Sequence, residues 1–155
     1  ALIHEAIASC GMGGPLAELP KMPVDPQAEL QQWVATLRSH ICSNRLLMRR
    51  CMSERDEHPQ LSDSANRGPM RATAELQDYI GRLQANSFIK GDVNAKAAAA
   101  MLIGTVFSDA MGRDAMPEIY PSPPAAAIAQ YTTLFLRAVG AAPNGAERLQ
   151  PTPSK

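Results

Sequence analysis

NAKAAAAMLIGTVFSDAMG, residues 94–112, is the stretch on which the fold turns. Between Ala97 and Phe107 every residue is apolar, glycine or threonine, so a helix here has no polar face for three turns and must be covered on more than one side. The run is shorter than the roughly 20 apolar residues that span a bilayer, and Lys96 and Asp109 bracket it, so its expected place is the centre of a water-soluble helical bundle. Ala97, Ala100, Met101, Gly104, Ser108 and Met111 fall on one helical face. Most are small, which lets another helix approach closely. Leu102, Val106 and Phe107 lie off that stripe and need a second partner, which another copy of the chain can supply.

The bounds set by composition agree with one helical domain. A chain of 155 residues with 45% hydrophobic content can bury a core. Its 15 basic residues cancel 15 acidic ones, so the summed field does not draw in nucleic acid or an anionic membrane. Cys10, Cys42 and Cys51 are odd in number and widely spaced, which fits a reduced cytoplasmic protein better than a disulfide framework. No stretch reads as a secretory or transit segment. Prolines fall mostly where helices would start or stop, and long alternating runs of β-branched residues are missing; the class is all-α.

In chain order, residues 1–9 put Leu2, Ile3, Ala6 and Ile7 on one face of an uncapped amphipathic helix, and residues 11–24 are broken by glycine and proline. Asp25 then caps a helix with Pro26 at its first position, over about residues 26–42, with Leu30, Trp33, Val34, Leu37 and Ile41 on its apolar face. Ser43 or Asn44 caps the next segment, where Leu47, Met48, Cys51 and Met52 share a side, and Pro59 stops it. Residues 61–66 read as a short turn of helix, and Gly68-Pro69 opens a longer one with the stripe Ala72, Leu76, Tyr79, Ile80 and Leu83. On its wet face Arg71 and Glu75, and Asp78 and Arg82, are spaced as i,i+4 pairs. Ser122 is expected to cap the last helix, with Pro123 at the first position and Gly140 just past the end. That helix is also too apolar for a monomer surface. Residues 1–142 make the domain, and residues 143–155 read as a disordered tail.

The chemical motifs are mostly negative. There is no Gly-rich phosphate loop, nucleophile elbow, Cys-x-x-Cys or His-Glu-x-x-His, so no catalytic residue, metal site or cofactor is expected. Cys51, Glu54 and His58 are the nearest approach to a site, but Cys51 and His58 are roughly 10 Å apart along one helix, too far for one metal. His40 and Cys42, two residues apart, point in different directions. Converging apolar stripes instead suggest a largely apolar pocket lined by Trp33, Leu37, His40, Met48, Met52, Tyr79, Leu83, Phe107 and Met111. His40 and Tyr79 would be its orienting polar groups. Ordinary core packing accounts for the same residues.

The segment NRLLMRRCMSERDEHPQL, residues 44–61, followed by residues 68–114, resembles the C-terminal regulatory domain of the tetracycline-repressor (TetR) family of bacterial transcriptional regulators. Glu54 and Pro59 match the family's first element, residues 88–94 its short turn, and residues 97–112 its Ala-rich helix, which precedes a last apolar one. ALIHEAI, residues 1–7, is similar to the segment directly after that family's helix-turn-helix, and no recognition helix is present in these residues.

The resemblance implies an antiparallel bundle of about six helices, the last two forming a four-helix dimer interface through Ala97, Ala100, Gly104, Ser108, Ile128, Leu134 and Phe135. It implies a homodimer that senses a small, largely apolar effector and reaches operator DNA only through a helix-turn-helix upstream, with no membrane partner. The alternatives are a free-standing helical carrier or sequestering protein, and a small helical enzyme built near Cys51, Glu54 and His58.

Overall fold

A computed structural model describes residues 18–54 and 59–142, with the backbone alone for residues 59–66. Among these residues lie five α-helices and no strand: α1 Pro26–Ser43, α2 Arg45–Ser53, α3 Pro59–Ala85, α4 Ala95–Gly112 and α5 Pro124–Ala138. A 3-10 turn, Pro117–Ile119, separates α4 from α5. The all-α class is observed. The helix expected at residues 1–9, the tail at 143–155 and His58 lie outside the described residues.

Two helix starts follow from local chemistry. The Asp25 side chain accepts from Ala28 N at 3.1 Å, and Pro26 occupies the first helical position, where a missing N–H removes no bond. Glu29 reaches back to accept from Val24 N at 2.8 Å and Asp25 N at 2.9 Å, so α1 is tied to the chain that enters it. Asn94 caps α4 in the same way, accepting from Ala97 N at 3.0 Å. Asn44 stands before α2 but turns its side chain back to His40 O at 2.9 Å, so it does not cap forward.

Two other boundaries differ from expectation. Ser122 does not cap α5; Pro123 holds the cap position with φ −72° and ψ 169°, and the helix starts at Pro124. A residue before proline is pushed out of the helical region, so in a Pro-Pro pair the second one opens the helix. Gly68-Pro69 does not open a helix either: α3 runs through it from Pro59. Pro69 lies on the exposed side, where water can satisfy the carbonyl that loses its N–H partner, and burial of Ala72, Leu76, Tyr79, Ile80 and Leu83 holds the following turns.

Helix ends use left-handed residues. After α5, Gly140 takes φ +81°, its N–H donates to Arg137 O at 3.0 Å, and Ala141 N donates to Leu136 O at 2.8 Å, the paired bonds of a Schellman end. After α3 the same pair forms, Ser87 N to Gln84 O at 3.1 Å and Phe88 N to Leu83 O at 2.9 Å, but with a serine at φ +58°.

The core lies where α4 packs on α1, α3 and α5, with α1 also against α5 and α2 against α1 and α3. Leu30, Trp33, Val34, Leu37 and Ile41 of α1 face Leu102, Val106 and Ala110 of α4, the α3 stripe, and Ile128, Phe135 and Leu136 of α5 in one buried cluster. The helix expected to lack a solvent face has one: Ala97, Ala100, Met101, Gly104 and Ser108 are exposed. Small side chains bury little area, so the protomer gains little by covering that stripe. None of the described helices is long and apolar enough to cross a membrane.

Candidate functional site

The nine residues expected to line a pocket divide by depth. Trp33, Leu37, Tyr79 and Leu83 are buried together in the core, and Met48, Phe107 and Met111 pack half-buried against it. His40 sits on another side of α1, beside an open groove of about 540 Å³ lined by Ala35, Thr36, Ser39, His40 and Ser43. Met52 is 60% exposed on α2, outside the group. A nine-residue helix with no buried residue presents only part of its apolar side to the core, and Met48 takes that place.

The polar atoms within the core are nearly all committed. Tyr79 donates its hydroxyl to Glu29, and burial first, then that hydrogen bond, pushes its pKa upward. Arg82 lies 5.6 Å from the Tyr79 ring centroid, pairs with Glu75 at 3.2 Å and donates to Leu19 O at 3.4 Å. Glu75 also accepts from Leu19 N at 3.0 Å, so the pairing expected with Arg71 gives way to a clamp holding the segment before α1. The Tyr79 hydroxyl, expected to orient a ligand, is thus engaged by the protein itself. Trp33 is different: 2% exposed, its Nε1 has no hydrogen-bond partner.

A second buried polar group lies near the end of the apolar run of α4. Asp109 is fully buried and accepts from Arg38 Nε at 2.8 Å, Arg113 Nε at 3.0 Å, the Arg113 terminal nitrogen, and Tyr131 Oη at 2.8 Å. Burial pushes its carboxyl upward, but hydrogen bonds from Arg113, Arg38 and Tyr131 outweigh it and hold the carboxyl below its ordinary value. Both oxygens are filled, leaving no lone pair to take a proton from a substrate, so the group joins α1, α4 and α5 rather than doing chemistry. Arg113 extends the junction by donating to Pro121 O at 2.7 Å. Leu102, Val106, Asp109 and Arg113 follow one helical stripe, but their spacing alone does not say that this stripe, rather than the small-residue one, meets the core.

The residues expected at a dimer interface also divide. Ala97, Ala100, Gly104 and Ser108 face outward on α4, and a Cβ at Gly104 would meet no atom within 4 Å. Leu134 is 61% exposed on α5, and Met101 is 50% exposed on α4. Ile128 and Phe135 instead belong to the protomer's own core, because with Thr132, Leu136 and Val139 they form the inward stripe of α5. Among the described residues no three His, Cys, Asp or Glu side chains come together to hold a metal ion. Cys51 on α2 and Glu54, just past its end, are half-buried, and Glu54 is held by Arg50 at 2.8 Å.

The chain matches no family model, no curated protein and no solved structure.

Proposed function

We propose that this chain is the effector-binding and dimerisation domain of a TetR-type bacterial transcriptional regulator, acting as a repressor, that senses a small and largely apolar molecule. The observation that carries the reading is the pair of outward faces on two helices that pack on each other: Ala97, Ala100, Met101, Gly104 and Ser108 on α4, with Leu134 on α5. Small residues beside two exposed large apolar ones allow close approach of a second copy, and a two-fold axis would bring both helices of each protomer into a four-helix contact. The apolar core around Trp33, Leu37, Tyr79 and Leu83 supports an apolar effector.

Such a domain regulates only if effector and operator DNA favour different conformations of the dimer, since a ligand binding both equally shifts nothing. The Asp109 junction suits that requirement, because it fastens α1 to both helices of the proposed interface. With zero formal net charge and no base-reading helix among the described residues, the domain alone is not a specific DNA binder; operator contact belongs to a helix-turn-helix outside it. Sedimentation of the wild type and Gly104→Leu tests the reading. The wild type should run as a dimer at micromolar concentration and the variant as a folded monomer, because the protomer has room for the side chain and the interface does not. A monomeric wild type refutes it.

A further inference from the structure

Residues 19–25 lead into α1 without helix or strand, yet side chains of α1 and α3 fasten them at both ends. At the first end Leu19 is 3% exposed within the core cluster, and both of its backbone groups are held. Its N–H donates to Glu75 Oε1 at 3.0 Å, while a terminal nitrogen of Arg82 donates to Leu19 O at 3.4 Å and to that same Glu75 oxygen at 3.2 Å. At the second end Glu29 Oε1 accepts from Val24 N at 2.8 Å and Asp25 N at 2.9 Å, and its other oxygen accepts from the Tyr79 hydroxyl. Between the two, Pro20 and the buried Pro23 each fix a backbone torsion, so the span is stiff.

Both ends meet on α3. Glu75, Tyr79 and Arg82 stand at i, i+4 and i+7, on one face of that helix. Arg82 takes part at both ends: it closes the ring of bonds around Leu19, and its guanidinium lies 5.6 Å from the centroid of the Tyr79 ring, whose hydroxyl holds Glu29. A movement of Tyr79 therefore disturbs the group that grips Leu19, and loss of the Leu19 contacts frees the group that stacks on Tyr79. A stiff span carries displacement from one end to the other, where a freely turning one would absorb it.

We propose that residues 19–25 form a strap with two latches that close and release as one unit, so that a shift of α3 against α1 opens both and frees the chain leading into Leu19. The strap is then the route by which the conformation of the domain reaches what precedes it, a role that rests on the regulatory reading above. An element with two discrete arrangements transmits a change that a loosely hinged connection would not. Glu75 and Arg82 are 28% and 26% exposed, so the latch on Leu19 can open to water while the buried helices stay packed.

Amide exchange read residue by residue by NMR on the full chain tests this, because Leu19, Val24 and Asp25 each donate their N–H to a latch. Tyr79→Phe removes only the hydroxyl at the second latch, yet the Leu19 amide at the first should exchange about tenfold faster, the effect of losing one hydrogen bond to a charged group. Glu75→Ala removes only the first latch, and the Val24 and Asp25 amides should quicken about tenfold in turn. Arg82→Ala should quicken all three. In the wild type, low urea should hardly change these rates while it speeds the buried amides of α5, since releasing the strap exposes far less surface than unfolding the domain. If each substitution quickens only its own end, the ends are independent anchors and the proposal fails. It fails equally if the Leu19 amide responds to urea as steeply as those of α5, because the strap then opens only with the whole domain. Sedimentation of the same samples separates the two readings: a dimer without the cross-effects removes only the strap, whereas a monomer removes the regulatory reading.

Discussion

Replacing Asp109 by Asn keeps the shape of the side chain and removes the charge that Arg38, Arg113 and Tyr131 converge on. Three of its four hydrogen bonds come from guanidinium groups, whose side chains are only 16% and 12% exposed. Breaking a buried pair by removing one member costs about 3–5 kcal/mol, because the remaining charge stays desolvated. For a chain of this size each kcal/mol lowers Tm by about 2–4 °C, so Asp109→Asn should melt roughly 10 °C lower. Tyr131→Phe removes one bond to a charged acceptor and should cost about 1.5–3 kcal/mol. The two groups share one contact, so the double variant should be little worse than Asp109→Asn alone. Urea titration followed by circular dichroism measures all three. The wild type should also weaken in acid: with the folded carboxyl lowered, its contribution is complete above the ordinary value near 4 and is lost as pH falls below it, a loss Asp109→Asn should not show. A cost under 1 kcal/mol for Asp109→Asn, or strictly additive costs, would refute the view that this carboxylate is the junction of three helices.

Ser87→Gly should raise stability by about 0.5–1 kcal/mol in the same titration, since serine pays a steric penalty at φ +58° that glycine avoids. Burial, reinforced by its bond to Asp109, pushes the Tyr131 hydroxyl up to about 12. Its phenolate absorbance, taken as the difference from Tyr131→Phe, should therefore appear near pH 12, and the stability it contributes should be complete below pH about 10 and lost between the two values. Gly104→Ala should stabilise the dissociated protomer by about 1 kcal/mol, because alanine is the better helix former and its Cβ meets no atom. Melting at dilutions where the chain is monomeric checks this.

The sequence by itself determined the class and the main inward stripes. Apolar residues spaced at the helical period in residues 30–41 and 72–83 form the cores of α1 and α3 because burying one face is the dominant local gain, and no other arrangement of those spacings does it. Asp25-Pro26, Asn94 and Gly140 marked helix ends because each satisfies backbone groups within a few residues of itself. What needed the tertiary structure was every choice between two acceptable faces or partners. Composition could not tell that α4 would turn Leu102, Val106 and Asp109 inward and leave Ala97, Ala100 and Gly104 outside, since small and large apolar residues both read as buried. Ile128 and Phe135 went to the protomer core for the same reason. Pairings between distant residues, Glu29 with Tyr79 and Arg38 with Asp109, are 50 and 71 positions apart and leave no periodic trace. Nor could any spacing reveal that Trp33 would be buried with its only donor unpaired, because an unmade bond depends on what every neighbouring element leaves vacant.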